Sequence, residues 1–310
     1  MDRALTIAAV AASLLTAGCA PMWDAVTSRK FRDAPYKTVK EVIVPEDPMV
    51  VLRADPPRSG DDRAKAMHRL KEPIRAGYTQ EDQDRIVEML ERTATSDTSP
   101  VLRYAAIEAL GRFEDERAPR ALMLAYQKAD GLTEQQAAKA RNPAAIVAIG
   151  GTSAGRSPTR PGLEMAQLAG PAGYAPDTVA ALRCRCLESL GRTHRPEAAR
   201  FLATVAGAAG SDVAQVGADD AEVRQAAVRG LGQCRQPEAV AALAQVLAAE
   251  AGKDPPLARG AHAGLVRLTG KKLPPDPQQW NEVVQAGVTI APEPTWTQNL
   301  IQSATFWEKK

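Results

Sequence analysis

Val101-Leu-Arg-Tyr-Ala-Ala-Ile-Glu-Ala-Leu-Gly111 returns in this chain as Ala181-Leu-Arg-Cys-Arg-Cys-Leu-Glu-Ser-Leu-Gly191 and as Glu222-Val-Arg-Gln-Ala-Ala-Val-Arg-Gly-Leu-Gly232. A looser copy runs Pro256-Leu-Ala-Arg-Gly-Ala-His-Ala-Gly-Leu265. Within the first copy Leu102, Ala105, Ala106, Ile107 and Leu110 recur at spacings of three and four, the period of an amphipathic helix. Gly111, Gly191 and Gly232 then suit the left-handed residue that ends a helix. Pro119, Pro196 and Pro237 suit the first turn of the next one. The followers bring Leu122, Phe201-Leu202 and Leu243-Val246-Leu247. Each unit reads as helix, tight turn, helix. Such a unit cannot hide its apolar face alone, so copies must stack on one another.

Equivalent leucines lie 80, then 41, then 34 residues apart. A stacked two-helix unit takes about 30–45 residues. The long first gap therefore predicts an insertion, a Gly- and Pro-rich loop at about 130–176. Upstream, helical pattern starts at Asp61, Pro73 stops it, and Thr79 and Ser99 are placed to cap the helices that follow. Residues 19–60 read as a tether and extended arm, in which Met49-Val-Val-Leu52 forms a brief strand or lies along the first helices. In the tail, 287–310, Trp296, Leu300, Ile301, Ala304 and Trp307 share a helical face. That face suits a cap on the last repeat, or else a partner-docking or membrane-surface helix.

The phrase resembles the HEAT-like repeats of phycobilisome-lyase type. The matching residues are Asp219-Asp-Ala-Glu-Val-Arg224, Ala226-Ala227, Leu231-Gly232 and Pro237-Glu-Ala, and the likeness covers roughly 61–285 with interruptions. The resemblance implies an all-α fold, a right-handed α-solenoid of helix pairs over 61–286, preceded by an irregular N-terminal arm. It implies a surface for a protein or peptide partner and supplies no active-site motif.

Composition agrees with closely packed helices. Apolar residues make up 45% of the 310 but aromatics only 4%, whereas strands draw on β-branched and aromatic side chains. With 39 basic and 37 acidic residues the net charge is +2, so no bulk charge argues for nucleic acid. The start tells more. An apolar run from Ala4 leads into Leu15-Thr-Ala-Gly-Cys19, a secretory signal over 1–18 that is too short to span a bilayer as a mature helix. Its end resembles the bacterial lipobox, which implies lipidation of Cys19 and an oxidising envelope compartment. Ala20 after it lacks an Asp-type retention signal, and the resemblance to sorting rules then favours the periplasmic face of the outer membrane.

Chemistry-bearing clusters are scarce. Gly150-Gly-Thr-Ser-Ala-Gly155-Arg156-Ser157 has the outline of a phosphate loop. However, it carries Arg in place of Lys, with Pro158 and Pro161 breaking any following helix. His68, His194 and His262 are isolated and no His-Glu pair occurs, so catalytic, cofactor-binding and metal-binding residues are all expected to be none. Cys186 stands where other copies carry Ala; Cys184 and Cys234 are either free or paired across adjacent repeats. Arg103, Arg183 and Arg224 share one repeat position, suited to spanning neighbouring repeats and pairing with Asp177 or Asp220. The alternative is a basic ridge thickened by Arg185, Arg192, Arg195 and Arg200. Arg183, Arg185, Arg192, Arg195, Trp296 and Trp307 are the candidate interaction surface.

The expectation is a lipid-anchored, non-catalytic scaffold or adaptor of the bacterial envelope, held by its N-terminus and binding a protein partner. The alternatives are a lyase- or chaperone-like accessory acting on a partner protein, and an envelope component docked through its tail.

Overall fold

Asp47-Pro48 starts the first helix of the structure, a computed structural model that describes residues 46–131, 173–208 and 220–292. Signal residues 1–18, Cys19, most of the 130–176 insertion with its Gly150–Ser157 stretch, and the tail with Trp296 and Trp307 lie outside the described residues. The chain divides into two units, Met1–Arg69 and Leu70–Lys310.

In the first unit, helix α1 (Pro48–Arg53) packs on α2 (Gly60–Arg69). The run Met49–Leu52 is therefore helical and not a strand. The reason is local: the Asp47 carboxylate accepts the Met49 amide at 2.8 Å, and Pro48 follows as the first helical residue. Asp before Pro is an N-cap signature. The helix expected to open the solenoid at 61 belongs to this unit, and the second begins at Leu70.

The second unit holds α3 (Gln80–Ser96), α4 (Pro100–Leu110), α5 (Ala118–Gln127), α6 (Pro176–Arg192), α7 (Pro196–Ala206), α8 (Ala221–Leu231), α9 (Pro237–Glu250), α10 (Pro255–Thr269) and α11 (Pro277–Gln285). Among the described residues every regular element is helical. The packing order makes this an all-α solenoid. The repeated phrase forms one layer, α4 on α6, α6 on α8, α8 on α10. The followers form the other, α3 on α5, α5 on α7, α7 on α9, α9 on α11. Each helix thus buries itself on its neighbours along the stack.

The caps work as the sequence predicts. The Thr79 hydroxyl accepts the Asp82 amide at 3.2 Å while the Asp82 carboxylate accepts the Thr79 amide at 3.4 Å, a reciprocal capping box. Ser99 accepts the Leu102 amide. Pro119, Pro196 and Pro237 each sit in a first turn.

The glycines do something else. Gly111 has φ −67° and Gly232 φ −65°, and Gly191 lies inside α6, so none is left-handed. Their lack of a side chain serves close approach between stacked helices. A Cβ on Gly191 would stand 2.3 Å from the Gly230 carbonyl oxygen, and one on Gly111 2.6 Å from the Ser189 Cβ. Gly232 faces the Gly264 Cα at 3.1 Å by the same measure. Leu-Gly marks where one module touches the next.

The insertion is closed at its base. The Tyr174 amide donates to the Asp130 carbonyl at 2.9 Å, the Tyr174 hydroxyl donates to the Asp97 carbonyl at 2.8 Å, and the Tyr174 ring lies against Gly131. At the far end α11 buries Trp280 completely. Its indole N–H donates to the Pro274 carbonyl at 2.9 Å. His262 is packed, as expected, with its Nε2 2.8 Å from the Leu273 carbonyl and its ring edge-on to Trp280 at 5.9 Å.

Candidate interaction surface

The shared arginine position is structural at two of its three sites. Arg103 is 3% exposed. Its guanidinium donates to the carbonyls of Thr95 at 2.6 Å, Lys128 at 2.7 Å and Asp97 at 2.8 Å. Thr95 is in the last turn of α3, Asp97 is its C-cap, and Lys128 is the C-cap of α5. A helix C-terminus presents carbonyls without helical partners and a partial negative charge, so one cation between two such ends satisfies both. Arg224 repeats the plan between α7 and α9, donating to Glu250 at 2.7 Å and to the Ala206 carbonyl at 3.5 Å. The expected partners Asp177 and Asp220 are not used; Asp220 instead caps α8 through the Glu222 amide at 2.9 Å. Arg183 lies over the Tyr126 ring at 5.7 Å, and its Nε is buried without a hydrogen-bond partner.

The other predicted residues separate. Arg195 turns to the loop edge and donates to the Glu114 carbonyl at 2.7 Å. Arg185 reaches from α6 to α4 with its side chain 17% exposed, over the Tyr104 ring at 4.7 Å. It pairs with Glu108 at 3.0 Å and Glu188 at 3.4 Å, while its Nε is buried without a hydrogen-bond partner. Glu188 also takes Arg229 of α8 at 3.0 Å. Arg192 ends α6 close enough to Arg112 to disfavour its charge. Burial lowers the Arg112 pKa most; Glu108 opposes that, while Arg192 and Arg185 add to it. Arg183, Arg185, Arg192 and Arg195 therefore do not form one ridge. Arg183 and Arg195 are committed to packing and turn contacts, and Arg185 and Arg192 belong to a different row.

Only part of that row was read from the sequence, although the sequence carries the rest. One residue past the Leu-Gly of three copies stand Arg112, Arg192 and Gln233, and past Leu265-Val266 of the fourth stands Arg267. Three residues before each closing Gly stand Glu108, Glu188 and Arg229, with Ala263 the equivalent in the fourth copy. The signal needed the copies to be aligned beyond their final glycine.

The opposite edge, where helices turn, is acidic and tied down. Glu72, Asp84, Glu114, Asp115 and Glu116 line a cleft of about 600 Å³ with Arg75, Arg117 and Arg195. The buried Gln83 amide donates to Glu72 and to Asp115, both at 3.0 Å. The hydrogen bond from Arg117 holds the Asp115 carboxyl down at about 2. Farther along, Gln236 donates to the His194 carbonyl and Arg235 to that of Ala291. Each turn is fastened to the next.

Two of the three described thiols, Cys186 and Cys234, are buried, and Cys184 is half-buried. Cys184, Cys186 and Cys234 are free, so the Cys184–Cys234 pairing does not form. Burial pushes the Cys184 thiol up to about 11 and that of Cys234 to about 12. Cys186 fills an alanine position at 0% exposure, as its place in the repeat predicts. Thiolate chemistry at neutral pH is correspondingly weak.

Residues 102–128 and 223–249 match the family described as PBS lyase HEAT-like repeat. No curated protein matches the chain. The two matched stretches coincide with α4–α5 and α8–α9, and α6–α7 between them keeps the same register and stacks on both. The chain thus carries HEAT-like repeats at both matched stretches.

Proposed function

We propose that the protein is a non-catalytic scaffold or adaptor, anchored by a lipid on Cys19 to the bacterial cell envelope, and that the outward surface of its repeats holds a protein partner. The favoured site is the periplasmic face of the outer membrane, with the segment after Cys19 as tether. The observation that carries this reading is how the polar side chains are used. Arg103, Arg224, Gln83, Asp115 and His262 are occupied in joining one module to another, while Arg229, Arg259 and Arg267 on the phrase helices are exposed. Among the described residues no helix is long and apolar enough to cross a membrane, so attachment in this reading falls to the acylated terminus. More than one acyl chain at about 0.8 kcal/mol per buried CH₂ holds stably.

Two measurements test it. Palmitate labelling in cells should disappear in Cys19→Ala; labelling that persists would overturn the anchor. Crosslinking in intact cells followed by mass spectrometry should capture a protein on the repeats, and capture of none would overturn the scaffold.

A further inference from the structure

The outward side of the phrase helices is arginine-rich out of proportion to the chain. From α4 to α10 it carries Arg112, Arg185, Arg192, Arg229, Arg259 and Arg267 against Glu108, Glu188 and Glu222. The whole chain is nearly balanced, 39 basic to 37 acidic, so this excess is segregation and not composition. Glu108 and Glu188 serve Arg185, Arg229 and Arg112. Among the described residues no carboxylate lies in ion-pair range of Arg192, Arg259 or Arg267, and the last two are exposed.

Helix-end electrostatics account for part of this. A cation in a last turn gains about 0.3–1 kcal/mol, and Arg192, Arg229 and Arg267 have that position. Arg185 and Arg259 do not. Nor does a helix end explain why Arg185 and Arg192 stand close enough to Arg112 to penalise its charge. Like charges gathered on one face work against folding; an anion laid across them reverses the sign.

We infer that the outward face of α4, α6, α8 and α10 binds an acidic protein segment, whose carboxylates pair with Arg192, Arg259 and Arg267 and with the partly neutralised Arg185 and Arg229. This rests on the scaffold reading and names the chemistry of the partner. Stacked helices lie about 8–10 Å apart and an extended chain advances about 3.3 Å per residue. Carboxylates about three residues apart therefore meet successive helices. The cations favour a carboxylate-bearing chain over a lipid surface. All six are arginine, whose planar fork matches a carboxylate through two parallel hydrogen bonds. Arg185 is also fixed in place, 17% exposed, by its ion pairs and the Tyr104 ring.

The test uses the full chain and a fluorescent peptide of repeated Glu-Glu-Ala, with Gln-Gln-Ala as its neutral match, read by anisotropy at low and high salt. The acidic peptide should bind, more weakly in high salt, and the neutral one should not. Combining Arg192→Glu, Arg259→Glu and Arg267→Glu should weaken binding about tenfold or more. Arg120→Glu with Arg200→Glu, on the other helix layer, should change it less than about twofold. Circular dichroism of both variants establishes that they are folded. Absence of acidic-peptide binding, or equal losses in both variants, would overturn the inference. So would a chain that ignores the peptide yet binds phosphatidylglycerol vesicles through the same three arginines. Partner capture in cells that survives the triple reversal would leave the scaffold standing and remove this face from it.

Discussion

The copies Val101–Gly111 and Ala181–Gly191 share Leu, Arg, Glu, Leu and Gly at five of eleven positions, yet their arginines lead different lives. Arg103 is enclosed and donates to three carbonyls from two helix ends. Arg183 occupies the same register, rests on the Tyr126 ring and leaves its Nε without a partner. The neighbours make the difference. Around Arg103 the returning chain at Tyr174 closes over the guanidinium, ring to charge at 5.2 Å, while the C-caps of α3 and α5 converge beneath it. A repeat motif prescribes where a side chain starts and leaves what it meets to the adjoining modules.

Substitutions can break that contrast. Arg103→Ala strands buried carbonyls, and a loss of about 3 kcal/mol is expected in urea unfolding of the full chain; a loss below about 1 kcal/mol would mean the three acceptors find water instead. Gly191→Ala places a methyl against the Gly230 backbone, which has no flexible end to yield. About 2 kcal/mol should be lost by overpacking, and an unchanged urea midpoint would show that α6 and α8 slide apart freely. Arg224→Ala removes a half-buried pair with Glu250 and should cost about 1 kcal/mol, between the other two arginines. Arg183→Met keeps the apolar stem on Tyr126 and removes the unpartnered Nε. Its stability should stay within about 0.5 kcal/mol of the parent, and a large loss would put Arg183 on a par with Arg103.

Much of the architecture was readable because it is local. Thr79, Ser99, Pro196 and Pro237 act on residues within one helical turn, and the spacing of leucines decides which face is buried. The closing glycines misled for a related reason. A left-handed cap and a close helix contact both select glycine, and only the position of Gly230 or Ser189 in the adjoining module separates the two. The helix at Pro48–Arg53 was legible in Asp47-Pro48 but was overshadowed by the β-branched look of Val50-Val51. Of the proposed arginine face, Arg185 and Arg192 stand out in the sequence by their density in one repeat. Arg229, Arg259 and Arg267 escaped because each is solitary in its own copy. The contact of Arg195 with the Glu114 carbonyl was not legible, because its partner is a main-chain atom one module away.

The hydrogen bond between Asp130 and Tyr174 has a further consequence. Whatever chain occupies 132–172 departs and re-enters at a single point, so its length sets no distance between α5 and α6. The stack has in effect a socket on its side, where sequence can be lengthened, trimmed or exchanged while the helices on either side keep their register.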